Sequence, residues 1–112
     1  MKYLIITNPI SGKKKSINIL NEQVIPYLKN QKINFESFIT EYPSHAKEKI
    51  HKCELNEIDS IIILGGDGTM HEVINGMLSR NDNKNIPIGL LPTGSGNSLI
   101  HDLNQLNTQD AL

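Results

Sequence analysis

Three glycine-bearing turns carry the residues of this sequence that are suited to chemistry. They read N-P-I-S-G at 8–12, G-G-D-G-T at 65–69 and G-S-G-N at 94–97, and each separates a short apolar run from a segment of helical periodicity. Glycine lets backbone N–H groups approach a ligand closely, and the start of a helix attracts anions. The pattern therefore predicts a phosphate-binding rim, although it matches neither G-x-x-x-x-G-K-[ST] nor a complete G-x-G-x-x-G.

Asp67, which stands among three glycines in the middle turn, is the candidate for the reaction itself. A carboxylate repels nearby phosphates, so it suits this place if it holds Mg²⁺, contacts a ribose or takes a proton from an attacking hydroxyl. The alternative is that Asp67 only stabilises a tight turn, as aspartate often does beside glycine.

Several other polar residues have an equally good structural interpretation. Thr69 and Glu72 have the T-x-x-E spacing of a capping box at a helix start. The lysines at 13–15 either attract phosphate or a lipid headgroup, or form a solvated surface. Gly76 lies within a predicted helix, where glycine is costly, so we expect a neighbouring backbone to pack closely against it. The four histidines are scattered singly and lack a metal-ligand spacing.

The elements that must position these turns follow from hydrophobic periodicity. Short apolar runs predict strands at 3–7, 34–40, 60–64 and 88–91, the second at a sheet edge and the third in the centre. Apolar stripes predict helices at 15–30, from Pro43-Ser44 onwards with Ser44 as N-cap, at 69–80, and through Leu99, Ile100, Leu103 and Leu106. Pro26 is expected to kink or shorten the first helix.

This alternation of strands and helices predicts the fold class. Strands that are separated by helices need crossover connections, so we expect a three-layer α/β fold with a mainly parallel sheet and helices on both faces. Ligands of such sheets bind beyond the carboxyl ends of the strands, where all three glycine turns fall.

Composition excludes several classes of protein. The chain has 112 residues, enough for one domain or part of one, and 38% of them are hydrophobic but only 4% aromatic, so the core must be aliphatic. The net charge of −1 argues against bulk electrostatic binding to nucleic acid or anionic membranes. A single cysteine, Cys53, excludes an internal disulfide, and no apolar run approaches the length of a membrane span. A cytoplasmic location is expected.

The three motifs together resemble those of the diacylglycerol kinase catalytic domain family, which includes diacylglycerol, sphingosine and ceramide kinases. The matching stretches are N-P-x-S-G at 8–12, G-G-D-G-T-x-x-E-V-x-N-G at 65–76 and P-x-G-S-G-N at 92–97. The resemblance implies a Rossmann-like nucleotide-binding domain over residues 1–112, similar to the N-terminal domains of NAD kinases and diacylglycerol kinases. It also implies transfer of the γ-phosphate of Mg·ATP to a lipid hydroxyl. The G-S-G-N-S stretch at 94–98 is nearer to the sphingosine and ceramide kinase version.

The resemblance also implies roles for individual residues, with ATP and Mg²⁺ as cofactors and no separate protein metal site. In sphingosine kinase-like members the aspartate that matches Asp67 is assigned as the catalytic base, whereas bacterial diacylglycerol kinases take the base from a second domain. The residues expected to bind the nucleotide are Asn8, Pro9, Ile10, Ser11, Gly12, Thr40, Gly66, Asp67, Gly68, Thr69, Glu72, Gly94, Ser95 and Gly96.

The family continues into a second, mostly β domain that this sequence does not include. We therefore expect a truncated catalytic domain that binds ATP but transfers phosphate to a lipid alcohol poorly by itself. A second domain or a homo-oligomer is the expected partner, with at most peripheral contact at the inner membrane surface and no nucleic acid. Two alternatives stay open: an NAD kinase-like phosphotransferase, which shares G-G-D-G-T, and a non-catalytic nucleotide-binding remnant that regulates or pairs with a complete kinase.

Overall fold

Strands and helices alternate along the chain in the computed structural model, which describes residues 1–10 and 14–91. The strands are β1 (Lys2–Thr7), β2 (Asn34–Ile39), β3 (Ser60–Leu64) and β4 (Ile88–Leu91). The helices are α1 (Ser16–Ile19), a π-helical segment (Leu20–Val24), α2 (Ile25–Asn30), α3 (His45–Lys52) and α4 (Asp67–Leu78). The helix predicted through Leu99–Leu106 lies outside the described residues.

The four strands form one parallel sheet in the order β2-β1-β3-β4. This order confirms that β2 is an edge strand and that β3, whose residues are all buried, is central. The register pairs Thr7 with Ile39 on one side and with Leu64 on the other. Three strands thus end level with one another, so the residues that follow them meet at one edge of the sheet.

Helices cover both faces of the sheet, which confirms the predicted three-layer α/β fold. The α1–π–α2 region packs on one face with Tyr3, Ile5 and Ile62, and α3 and α4 pack on the other with Ile6 and Ile63. Isoleucine is the commonest buried residue on the face covered by α3 and α4 and is as common as leucine on the other face, and its β-branched side chain fits a pleated surface well. Within the described ranges, the structure contains no helix that is long and apolar enough to cross a membrane.

The disturbance expected at Pro26 takes the form of a π-helical segment rather than an early helix end. Leu20–Val24 forms that segment, and α2 begins immediately after it. Pro26 is the second residue of α2 and has no N–H group to donate to the preceding helical turn. The helical backbone then continues to Asn30.

Ser44 precedes α3 as predicted, but its side chain does not cap the helix. Its backbone has a left-handed conformation with φ of 70°, and its hydroxyl makes no capping hydrogen bond. The N–H group of Ala46 instead donates to Glu72 Oε1 of α4 at 3.2 Å. The capping acceptor of α3 thus comes from a helix that lies far away in the sequence.

The predicted capping box at Thr69 and Glu72 is wrong because α4 begins two residues earlier than its hydrophobic pattern indicates. Gly66 is the N-cap residue and the helix starts at Asp67, so Thr69 lies inside the first turn. The two additional helical residues, Asp67 and Gly68, carry no apolar side chain, so the hydrophobic pattern does not reveal them. The Glu72 carboxylate is therefore free of a local capping role and reaches α3.

Arg80 caps the neighbouring helix rather than its own. Its Nη1 group donates to the carbonyl oxygens of Ile50 and Cys53, each at 2.7 Å, at the C-terminal end of α3. Its Nη2 group also pairs with Asp82 Oδ2 at 2.6 Å, and the side chain is only 8% exposed. Arg80 thus follows the end of α4, but the helix whose carbonyls it binds is α3.

We expect Arg80→Ala to lower the free energy of unfolding by about 2 kcal/mol, because it removes charge-assisted hydrogen bonds to two helix-end carbonyls. Urea unfolding followed by circular dichroism measures this loss, with Asp82→Asn as the matched control that keeps both carbonyl contacts.

Hydrogen bonding to Arg80 lowers the pKa of Asp82. The contribution of this pair is therefore present above the ordinary carboxyl pKa and declines as the pH falls below it. Equal stability of Arg80→Ala and the wild type would contradict the capping role.

Candidate functional site

A cleft of about 300 Å³ opens at the edge of the sheet where β1, β2 and β3 end. It brings together residues from the first motif, from the end of β2 and from the middle motif, as the sequence predicted. The lining residues within the described part of the chain are Asn8, Pro9, Ile10, Thr40, Glu41, Tyr42, Pro43, Thr69 and Glu72.

Asn8 joins the first motif to the middle one. Its backbone N–H donates to the carbonyl of Leu64 at 3.0 Å, which extends the β1–β3 pairing by one residue. Its side-chain Oδ1 accepts from the N–H of Ile10 at 3.1 Å, and its Nδ2 donates to Thr69 Oγ1 at 3.3 Å. One amide side chain therefore holds the turn after β1 against the first turn of α4.

Ser16, which the sequence interpretation missed, also holds the turn after β1 in place. The hydroxyl of Ser16 is buried and donates to the backbone carbonyl of Asn8. The available signal was a small polar residue at the first position of a helix that otherwise turns apolar side chains inward. Serine suits this place because it is small enough to be buried and satisfies a carbonyl that the turn leaves free.

Thr40 lines the cleft directly after the end of β2. Its N–H donates to the carbonyl of Thr7 at 2.9 Å, and its Oγ1 lies 3.4 Å from the same oxygen. The side chain is buried, so β1 and β2 remain joined one residue beyond the end of β2. Thr40 thereby fixes the start of the segment that forms the outer wall of the cleft.

Among the described residues, the charged side chains that line the cleft are those of Glu41 and Glu72. Glu72 is half-buried and accepts a hydrogen bond from the N–H of Ala46, and Glu41 is exposed. Two carboxylates repel a polyphosphate, so the cleft itself suits an uncharged group that offers hydrogen-bond donors. The glycine turn that precedes α4 lies outside the described lining of the cleft.

That turn leaves room for a ligand at its surface. Among the described residues, a Cβ atom built on Gly66 or Gly68 meets nothing within 4 Å, and both residues are exposed. Packing within the described fold therefore does not require glycine at either position. Asp67 lies between them, exposed in the first turn of the 12-residue helix α4 and outside the lining of the cleft.

The remaining predicted nucleotide-binding residues, Ser11, Gly12, Gly94, Ser95 and Gly96, lie outside the described residues. The sequence interpretation missed Glu41, Tyr42 and Pro43 in the cleft wall. They follow Thr40 directly, so the signal that would have found them was their position just after the end of a strand.

Comparison with known proteins decides the family. The sequence profile described as "Diacylglycerol kinase catalytic domain" matches residues 2–112, nearly the whole chain. The chain belongs to the diacylglycerol kinase catalytic domain family. Membership in this family accounts for the three glycine turns and for the strand order that brings the described parts of two of them together.

Individual members of the diacylglycerol kinase catalytic domain family are similar over most of this chain. Sphingosine kinase 1 of Arabidopsis thaliana is 40% identical over 105 residues, which cover 91% of this chain and 22% of that protein. Sphingosine kinase 1 of Homo sapiens is 38% identical over 106 residues, which cover 92% of this chain and 28% of that protein. The chain thus spans about a quarter of the length of these relatives.

A solved structure of a diacylglycerol kinase from Bacillus anthracis str. Sterne has a similar fold. It superposes with a TM-score of 0.67 at 26% sequence identity, and the match covers 87% of this chain and 34% of that one. The parallel sheet and its flanking helices are therefore the architecture of a known diacylglycerol kinase.

Proposed function

We propose that this chain is the nucleotide-binding domain of an ATP-dependent lipid kinase, which transfers the γ-phosphate of Mg·ATP to a lipid hydroxyl. The observation that carries the proposal is the meeting of Asn8, Thr40 and Thr69 around one cleft beside an open glycine turn. Family membership supports phosphoryl transfer to a lipid. The similarity to proteins named sphingosine kinases favours a sphingoid-type alcohol over diacylglycerol as the acceptor.

The triphosphate fits at the glycine turn. Helix α4 presents the backbone N–H groups of its first turn there, and the open sides of Gly66 and Gly68 leave space for phosphate oxygens. Asn8 and Thr69 supply polar side chains next to this turn. We propose that Ser11, Gly12, Gly94, Ser95 and Gly96 complete the nucleotide site from the two neighbouring motifs.

Mg²⁺ fits as an ion that arrives bound to the nucleotide. The described part of the chain has no group of three metal-ligating side chains close enough to hold an ion. Mg²⁺ usually keeps several waters and binds the phosphate oxygens of its substrate, so the ion needs no dedicated protein cage. When bound, the ion supplies charge neutralisation to the phosphates.

Asp67 is the proposed catalytic base. Its carboxylate is exposed at the start of α4, beside the turn that is to hold the phosphates, so a hydroxyl can approach both together. As the acceptor oxygen bonds to the γ-phosphorus and the bond to ADP breaks, the hydroxyl proton passes to Asp67.

We propose further that the lipid site lies in a second domain or is shared with a second copy of the chain. The chain spans 22% and 28% of two sphingosine kinases, so most of those proteins corresponds to nothing here. A cytoplasmic location with peripheral contact at the inner membrane surface goes with this arrangement.

Calorimetric titration with Mg·ATP, followed by transfer assays with three acceptors, tests the proposed function. We expect ATP to bind and labelled phosphate to appear on sphingosine or diacylglycerol, slowly for this chain alone, and not on NAD. Phosphorylation of NAD would favour the NAD kinase-like alternative. ATP binding without transfer to any of the three acceptors would favour the non-catalytic nucleotide-binding remnant, and absence of ATP binding would contradict the proposed function.

Alanine at Gly66 or Gly68 tests the proposed phosphate position. We expect ATP to bind about tenfold more weakly to either variant, because a Cβ atom occupies space meant for phosphate oxygens. The melting temperature of Gly68→Ala should stay the same or rise, because Gly68 lies within the helix, whereas Gly66 is the N-cap residue and gains no helix propensity. Calorimetry and thermal unfolding measure the two effects on the same samples. Exposed Asn81, beyond the end of α4, offers the control Asn81→Ala. Unchanged ATP affinity in both glycine variants would contradict the proposed position of the phosphates.

A further inference from the structure

Tyr42 is held in one orientation although half of it is exposed. Its hydroxyl donates to Glu48 Oε2 at 2.6 Å, and its ring stacks on His45 with 4.1 Å between centroids and 14° between planes. The bond to Glu48 raises the pKa of the Tyr42 phenol, so the hydroxyl remains a donor. The ring is thus fixed at both its edge and one of its faces.

His45, which supports this ring, is itself fixed. Its Nδ1 accepts a hydrogen bond from the N–H of Glu41 at 2.9 Å. The ring of Phe38 meets it edge-on, with 4.7 Å between centroids and 71° between planes. The segment after β2 is therefore folded back on α3 through a chain of contacts that ends at Tyr42.

Tyr42 belongs to the wall of the cleft, whereas His45, which supports its ring, does not line the cleft. Tyr42 lines the cleft beside Asn8, Thr40 and Glu72. The side chain of Tyr42 is 50% exposed even though His45 covers one of its faces. One face of the Tyr42 ring is therefore free of His45 and available to a molecule in the cleft.

The two acidic side chains in the described lining indicate which part of a nucleotide would occupy the cleft. Glu41 and Glu72 repel phosphate but accept hydrogen bonds from an exocyclic amine or a ribose hydroxyl. A flat base also suits a rigid aromatic wall, since the ring loses little freedom when it stacks.

We propose that Tyr42 is the stacking platform for the purine base of the bound nucleotide, with the ribose between Tyr42 and Asn8 and the phosphates directed toward Gly66–Gly68. This inference rests on the proposed function, because it assigns one end of the cleft to the nucleoside of ATP. It adds a residue that binds the base of the nucleotide, outside the three glycine motifs.

Titrations of the protein with Mg·ATP and with inorganic tripolyphosphate separate the base from the phosphates. We expect Tyr42→Ala to weaken ATP binding about tenfold and to change tripolyphosphate binding less than about twofold, since only ATP has a base to stack. Tyr42→Phe keeps the ring and should stay within about threefold of the wild type for both ligands. Leu78→Ala, at an exposed apolar residue outside the cleft lining, is the matched control.

Proton NMR supplies a readout that a merely structural role of Tyr42 does not affect. We expect the adenine H2 and H8 signals to move upfield on binding to the wild type and to Tyr42→Phe, and to lose that shift with Tyr42→Ala. Full ATP affinity in Tyr42→Ala, or equal losses of ATP and tripolyphosphate binding, would overturn the inference alone. If the wild type binds neither ligand, the proposed function fails as well.

Discussion

Asp67→Asn is expected to lower the rate of phosphoryl transfer by about 10²–10⁴-fold while ATP affinity stays within about threefold of the wild type or improves. Asparagine has nearly the same shape as aspartate but cannot take a proton from the lipid hydroxyl. It also removes a negative charge from beside the proposed phosphate site, so binding should not suffer. Transfer of labelled phosphate to sphingosine measures the rate, and calorimetry measures the affinity.

Glu57→Gln is the control for this change of charge. Glu57 is exposed shortly before β3, near the end of the sheet opposite the cleft, so its neutralisation should alter neither transfer nor binding. An undiminished rate in Asp67→Asn would show that the base comes from elsewhere, as the resemblance to bacterial diacylglycerol kinases implies for that branch. A large loss of ATP affinity would instead make Asp67 a ligand-binding residue.

Gly76→Val is expected to lower the free energy of unfolding by about 3 kcal/mol, because α3 and α4 touch at this glycine. A Cβ atom built on Gly76 lies 2.8 Å from both Ile50 Cβ and the backbone carbonyl oxygen of Lys47. Ile50 is completely buried, so relief requires the two helices to separate. Gly76→Ala should cost less, since alanine regains about 1 kcal/mol of helix propensity. Urea unfolding measures both values.

Gly68→Ala is the matched control within the same helix. Its added Cβ atom meets nothing within 4 Å among the described residues, so helix propensity should leave this variant equal to or more stable than the wild type. Wild-type stability in both Gly76 variants would mean that the helices adjust without cost. Separation of α3 from α4 also threatens the bond between Glu72 and Ala46, so we expect weakened ATP binding in any folded Gly76 variant.

The predicted close packing at Gly76 is confirmed, and its partner is a neighbouring backbone as expected. The sequence carries this information because glycine inside a helix is costly unless something needs the space. Which helix needs the space does not follow from periodicity. That information lies in the contact with Lys47 and Ile50, which are 29 and 26 residues away in the sequence.

Two residues with polar side chains also show the difference between what a local sequence pattern predicts and what tertiary contacts decide. The spacing of Thr69 and Glu72 predicts a local capping box, yet Glu72 binds the N–H of Ala46. Arg80 likewise binds carbonyls of α3 rather than those of its own helix. A local pattern describes only the partners within one turn of helix, whereas a long polar side chain bonds to whichever unsatisfied group the packing brings near.

The sequence by itself determined the order of strands and helices, the edge and central strands, and the end of the sheet at which the glycine turns after β1 and β3 lie. These follow from hydrophobic periodicity and from the level ends of parallel strands, which are repeated along the chain and leave few alternatives. Only the tertiary structure decided where α4 begins, which helix Glu72 and Arg80 support, and that Tyr42 forms a wall of the cleft. Those outcomes depend on single contacts between distant segments, and a contact of that kind leaves no periodic trace in the sequence.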